Sequence, residues 1–504
     1  MTERSSLAMP TPLCHCVTSP PQGGRSGGHG VALKSLDTFS GVAKSIRFWL
    51  VNKPAANLPP CGGDWPIGAE GGGRRFMRGR PSPQPSPRRR GEAVTPRLLI
   101  LLLTLIPLPA FAAPSKADVE AKFQTWVKTE IYPEAKKAGV SEKTLQAAFA
   151  GVQLNWDLPD LAPPGFPPVK QRPQSQAEFS SPAPYFNNDR LQRLAVTGRS
   201  FASQYASTLK RIEKTYGVPG AIVLAIWGRE TGFGAAAMKN SAISILATDA
   251  FMSTRKEMFR TELITALDIL EHGDITPDQF KGSYAGALGQ PQFMPSSYLK
   301  YAVDFDGDGH RNIWTSVPDT LASIANYLVQ KGWQRGRGWG YEATIPAAVS
   351  CAQEGPDLAK PIGRWAAGGI TRYGGGAFPA GELKADGMML VPAGRDGPAF
   401  IVTPNFYVIK EYNNSDLYAL YIGNLADRIA DNAGPFKGPW GDVGKMLRSD
   451  VAAMQKSLQK KGYDVGGTDG LPGYKTRRAI GQWQTRNGQA PTCYPEARMM
   501  PVLK

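Results

Sequence analysis

One segment constrains the fold more than any other: PGAIVLAIWGRETGFG, from Pro219 to Gly234. Proline is well placed in a first helical turn, where its missing N–H is not needed, so Pro219 opens a helix over Ala221–Glu230. That helix is otherwise apolar and ends on a carboxyl, Glu230, with Trp227 three residues before it and Phe233 three residues after. Side chains at this spacing share a helix face. A carboxyl packed against aromatic rings is costly to ionise, which is the property a general acid needs. A lone Glu at a helix end would more simply be solvated or paired with Arg229, so the rest of the chain has to decide.

The surroundings are helical as well. Lys116–Ala150 has the pattern of two amphipathic helices, with Val119, Phe123, Trp126, Val127 and Ile131 at helical spacing. Residues 155–186 are rich in proline and form a linker or wrapping segment. Asn187–Tyr216 is a long helix pattern closed by Gly217, followed by helices at Arg255–Glu271, Thr320–Lys331 and Ser415–Ala430. From Trp339 to Phe406 the pattern changes to short, Gly-rich extended pieces, a small β-containing insertion. The expected fold class is mainly α (α+β). One helical body spans 114–432, a Gly/Pro linker spans 433–444, and a small three-helix unit occupies 445–504.

A second chemical motif, GSYAGALGQPQFMPSSY, runs from Gly282 to Tyr298. Its small residues allow close approach to a bulky ligand, while Gln, Ser and Tyr offer hydrogen bonds and stacking faces. Alone, it would be an ordinary loop between helices. Taken in order with the Glu230 segment, it resembles the catalytic domain of the lytic murein transglycosylase B family. The resemblance continues through Tyr301–Asp304, Ser323–Leu328 and Asn405–Ser415 to Tyr418-Ala419, and covers roughly residues 117–432.

That resemblance implies a lysozyme-like helical fold in which Glu230 is the catalytic acid/base. It assigns Ser283, Gln292, Tyr412 and Tyr418 to the lining of a glycan groove, with Tyr284 and Gln290 as weaker members. One carboxyl stands where most glycosidases carry two. The family's chemistry is therefore internal: cleavage of the MurNAc–GlcNAc β-1,4 bond with closure of a 1,6-anhydro ring, needing no cofactor. The alternatives are a hydrolytic muramidase or a catalytically idle scaffold that binds peptidoglycan.

Asp304, Asp306 and Asp308 occupy positions one, three and five of an EF-hand-like loop, with Gly309 at six. His310, at seven, would offer its backbone carbonyl. Thr315 stands where a Glu normally closes the shell, and Asp319 resembles the family's closing ligand. The expectation is a structural Ca²⁺ beside the groove. In the tail, Val451, Met454, Leu458, Tyr463, the Asp469-Gly470 and Gly473-Tyr474 turns, Ile480 and Trp483 resemble a small peptidoglycan-binding domain.

The apolar run Leu98–Ile106, preceded by Arg97 and followed by Ala110-Phe111-Ala112, has the form of a signal peptide over residues 94–113. It is too short to span a bilayer, which takes about 20 residues, and no Cys follows it closely to carry a lipid. A soluble, periplasmic, monomeric enzyme is expected, with glycan strands as partner and no nucleic acid. Residues 1–93 are either a disordered basic leader or a mis-assigned start, with the later start preferred. Of the formal charge of +16, +9 falls within residues 1–112, so the folded part is only mildly basic. Beyond the signal only Cys351 and Cys493 remain. An oxidising compartment would permit a bridge, but they fall in different expected domains, so the reading leans toward unpaired thiols.

Overall fold

The computed structural model describes residues 114–166, 182–444 and 446–503. The expected signal peptide and the leader before it lie outside the described residues. α1 (Lys116–Trp126) and α2 (Tyr132–Lys137) are joined by a π turn at Val127–Ile131, and α3 (Glu142–Phe149) follows. Ser115 caps α1 in a capping box with Asp118, and Ser141 caps α3 by accepting the Thr144 N–H.

The single helix expected before Gly217 is two, α4 (Asn188–Gln204) and α5 (Ala206–Tyr216). The break falls at Tyr205, whose backbone leaves the helical region (φ −103°, ψ 23°) while its ring packs near Phe201 and Trp227. α6 (Gly220–Thr231) starts after Pro219 and stops at Gly232, where φ of +59° lets its N–H turn back to the Gly228 carbonyl. Every residue from Ile222 to Thr231 is buried. A helix apolar on all sides must be surrounded, and α6 is the axis of the body.

Of the helices that follow, α10 (Val317–Gln330) packs against α6, while α7 (Ala242–Met252) packs on α8 (Lys256–His272) and α8 on α9 (Pro295–Tyr301). α7 escaped the sequence pattern because all of its residues but Ser244 are buried, which leaves no polar face to mark a period. A two-residue pair, β1 (Asn240–Ser241) with β2 (Lys281–Gly282), delivers the chain into the Ser283 loop.

The insertion is an antiparallel sheet of β3 (Gly340–Thr344), β4 (Lys360–Pro361), β5 (Thr371–Arg372), β6 (Asp386–Leu390) and β7 (Ala399–Val402), in the order β4-β6-β7-β3-β5. Strand alternation divides it between two cores. Met388, Leu390, Phe400 and Val402 join the helical body, whereas Met389, Val391 and Ile401 face a second cluster with Ile362 and Trp365, the latter two from α11 (Ile362–Ala367). Each large aliphatic or Phe side chain fully buried there contributes about 1.5–3 kcal/mol. The sheet is thus fused to the body.

α12 (Pro404–Tyr412) begins two residues before the expected end of the extended region, because Thr403 accepts the Asn405 N–H and caps it. α13 (Asp416–Asp431) follows and packs along α6 and α4. The expected linker is not free: Phe436 packs on Phe400, and Trp440 stacks on Phe186 at 5.0 Å. The tail, α14 (Arg448–Lys460), α15 (Tyr474–Arg486) and the short α16 (Met500–Leu503), has its own core of Val451, Met454, Leu458, Ile480 and Trp483. It is also docked on the insertion. Cys351 and Cys493 are joined as a disulfide with Cα atoms 6.2 Å apart, and both sulfurs sit in the insertion's cluster. The leaning toward unpaired thiols is corrected by this docking, which sequence spacing does not convey.

Candidate active site

Glu230, in the last turn of α6, is 2% exposed. Tyr418, in the first turn of α13, donates its hydroxyl to Glu230 Oε1 at 2.6 Å. The Tyr418 ring lies nearly parallel to that of Tyr412, with centroids 6.5 Å apart. Tyr412, the last residue of α12, donates to the Pro291 carbonyl at 2.6 Å. Three helices and the Gly289–Gln292 loop therefore meet at one carboxyl. Burial holds both phenols well above their usual range, and the nearby Glu230 charge adds to it. Both hydroxyls stay protonated and act as donors.

The aromatic setting of Glu230 differs from the expected one. Trp227 and Phe233 pack edge-on against each other at 5.4 Å and both touch Phe201. Phe233 has φ of +63°, because the helix has already ended at Gly232, so its helical spacing from Glu230 does not apply. The rings at the carboxyl come from Tyr412 and Tyr418, far along the chain. Arg229 turns into a cage of its own: it donates to Tyr185 Oη at 2.8 Å and lies 4.4 Å from the Tyr421 ring centre. Tyr185, in the proline-rich stretch, gave no signal in the sequence.

In the loop, Gln292 is buried at φ of +57°. Its Nε2 donates to the Gly289 carbonyl at 3.0 Å, while its Oε1 is buried without a hydrogen-bond partner. A non-glycine residue in the left-handed region costs on the order of 1–3 kcal/mol, and such strain clusters where a side chain must be aimed. The orphaned oxygen can still accept a hydrogen bond from a hydroxyl or amide. Ser283 Oγ accepts the Ala287 N–H at 3.2 Å, and Tyr284 is the most open member at 36% exposed.

Gln290 has a different position from that expected. Its Oε1 accepts the Trp227 indole N–H at 2.8 Å, and its Nε2 donates to the Trp314 carbonyl at 3.0 Å. Both ends of the amide are committed to protein groups, so Gln290 fastens α6 to the acidic loop. Gly289 is needed at the same seam: its φ is +59°, and a Cβ there would lie 2.6 Å from Ile313.

In the acidic loop, carboxylate oxygens of Asp304, Asp306 and Asp319 lie within 4.8 Å of one another. Asp308 is outside this cluster, with its Oδ1 accepting the His310 N–H at 2.8 Å. Asp319 is fully buried and accepts the backbone N–H groups of Phe305 and Asn312. Burial raises its carboxyl above the ordinary range despite those donors. Three hard oxygen donors of this kind suit a calcium ion.

A family model for the transglycosylase SLT domain matches residues 122–427, and one for a peptidoglycan binding domain matches 448–500. The membrane-bound lytic murein transglycosylase B of Escherichia coli (strain K12) is 36% identical over 240 residues, 46% of this chain and 63% of that protein. The chain thus spans under two thirds of that relative's length. The crystal structure of SltB3 from Pseudomonas aeruginosa in complex with NAG-NAM-pentapeptide superposes with a TM-score of 0.67 at 35% identity. The match covers 76% of this chain and 99% of that one. The complex of SltB3 with NAG-anhNAM-pentapeptide gives a TM-score of 0.63 at 34% identity over the same shares. Among the described residues, no helix is long and apolar enough to cross a membrane.

Proposed function

This chain belongs to the transglycosylase SLT domain family, and from that premise we propose that it is a lytic transglycosylase acting on peptidoglycan glycan strands in the periplasm. The observation that carries the reading is Glu230, buried on a lysozyme-like helical body and tied through Tyr418 and Tyr412 to the Gln292 loop.

Glu230 protonates the oxygen of the MurNAc–GlcNAc β-1,4 bond, and the muramyl acetamide shields the positive charge that develops. Glu230, then ionised, takes the proton of the C6 hydroxyl as that oxygen closes a 1,6-anhydro ring on its own sugar. Acid and base are one residue, and general acid–base catalysis of this kind contributes about 10²–10⁴-fold. Attack within one sugar has the proximity advantage that water lacks. Tyr418 holds the carboxyl in place by donating its hydroxyl to Oε1. Gln292 Oε1 and Tyr284 meet the glycan, with Ser283 bracing the loop. SltB3 complexed with an anhydromuramyl ligand is in keeping with this outcome.

Asp304, Asp306 and Asp319 would hold a structural Ca²⁺, with Asp308 and the His310 carbonyl at its margin. Such an ion would stiffen the loop to which Gln290 is fastened. The tail would hold the enzyme on the wall. Mass spectrometry of products from purified peptidoglycan tests the proposal, comparing wild type with Glu230→Gln. Anhydromuramyl ends lost in the variant support it. Reducing ends would mean hydrolysis, and no product from wild type would leave only a wall-binding scaffold.

A further inference from the structure

α12 and α13 carry Tyr412 and Tyr418, and both helices are held at their junction by one carboxylate. Asp416, the first residue of α13, accepts Lys410 Nζ of α12 at 2.7 Å. It also accepts Arg477 Nη2 at 2.8 Å, and Arg477 lies on α15 of the C-terminal unit. Arg477 is 3% exposed and forks onto Glu354 of the insertion, with Nε and Nη2 at 2.9 and 2.6 Å. Its Nη1 donates to the Pro472 carbonyl at 2.7 Å. Glu354 is fully buried and accepts the Val391 N–H as well. Two carboxylates and two cations thus form a charge-balanced group drawn from three parts of the chain, with Arg477 and Glu354 buried and Lys410 and Asp416 largely covered. Removing one member leaves an uncompensated charge, which is far more disruptive than the net strength of the group implies.

The position of the group relative to the chemistry is what matters. Asp416 lies half a turn before Tyr418, whose own N–H is capped by Ser415 Oγ. A shift at Asp416 is carried by the helix into the hydroxyl on Glu230. We propose that Arg477, in the C-terminal unit, is a positioning residue for the reaction at Glu230. It fixes Asp416, and through the first turn of α13 it sets Tyr418 against the catalytic carboxyl. The inference rests on Glu230 being the acid/base. It gives the C-terminal unit a part in turnover, whereas a tethered anchor would alter only attachment to the wall.

The two roles separate on soluble, uncross-linked glycan strands a few disaccharides long, cut by the full chain. Arg477→Met should fold, as judged by far-UV circular dichroism, and lose at least tenfold in kcat with KM within about threefold. Arg477→Lys should recover part of that loss. Asp416→Asn is nearly isosteric and leaves the Arg477–Glu354 pair intact, and it should lower kcat about fivefold or more. Cys351→Ser/Cys493→Ser removes the covalent staple alone. It should lower the thermal midpoint yet keep kcat within twofold at a temperature well below it. Wild-type kcat in folded Arg477→Met, or in Asp416→Asn should the first not fold, overturns the inference. A wild-type chain that releases no anhydro product instead sinks the reading of Glu230.

Discussion

Tyr418 and Glu230, 188 residues apart in the chain, share a 2.6 Å hydrogen bond at the closed end of a buried helix. Hydrogen bonds to ionised groups are stronger than those between neutral ones, so in the proposed reaction this bond would strengthen once Glu230 had passed its proton to the leaving oxygen. Hydrogen bonds to charged groups are worth about 1.5–3 kcal/mol. Tyr418→Phe keeps the ring against Tyr412 and removes only the hydroxyl. Its kcat on peptidoglycan should fall roughly 10- to 100-fold, with little change in the circular dichroism spectrum. Steady-state kinetics decide the matter, since wild-type kcat in that variant would remove Tyr418 from the machinery.

The acidic loop offers a test independent of activity. A ligand that binds only the folded chain stabilises it by about 2.7 kcal/mol at a concentration a hundredfold above Kd. Millimolar Ca²⁺ should therefore raise the thermal midpoint of wild type and leave Asp319→Asn unmoved. Because burial raises the Asp319 carboxyl, the shift should shrink as pH falls and that ligand becomes protonated. Equal midpoints with calcium and with chelator, at neutral pH, would mean the loop is an acidic turn and nothing more.

Much of this site was legible in the residues because the chemistry is concentrated in short segments. Pro219 and the apolar stretch after it marked the helix that carries Glu230, and the Gln292 and Tyr412–Tyr418 segments stood out by motif. What the residues did not convey was which partner each would take. Gln290 looked like a ligand contact, but its amide bridges Trp227 and Trp314 across 63 and 24 residues. Glu354 and Arg477 are 123 residues apart and form a buried pair that no local pattern announces. Spacing reports faces and turns, whereas long-range polar pairing depends on how the elements dock.

Asp427, on the same helix as Tyr418, gives the fold a pH dependence of unusual sign for a carboxyl. Burial pushes it up to about 7, with Asp431 adding to the effect and the Trp339 indole N–H, 3.2 Å from each oxygen, opposing it. The unfolded chain would ionise this group near pH 4. Its stabilising contribution is then complete below about pH 4 and is lost as pH rises toward 7, because the unfolded state sheds its proton first. Three pH units correspond to about 4 kcal/mol at most, and partial exposure lessens that. The thermal midpoint of wild type minus that of Asp427→Asn should fall between pH 4 and pH 7 and level off above. A flat difference would show that the carboxyl titrates normally.

Gly481 sets local propensity against tertiary packing, and the two predict opposite signs. It lies inside α15, where Ala is ordinarily preferred over Gly by about 0.8–1 kcal/mol. A Cβ at this position, however, would collide with Cys493 Sγ and lie 3.3 Å from Ala352 Cβ. The sulfur is held by its bond to Cys351 and cannot swing away, so either α15 or the bridge must move. Overpacking of this kind typically costs 1–3 kcal/mol, enough to reverse the helical gain. Gly481→Ala should therefore lower the urea midpoint of the oxidised chain. The penalty should be smaller in a Cys351→Ser/Cys493→Ser background, where the smaller oxygen can rotate. If Gly481→Ala proves as stable as wild type or more so, α15 does not approach the insertion this closely. The docking through which Arg477 reaches Asp416 would then fail with it.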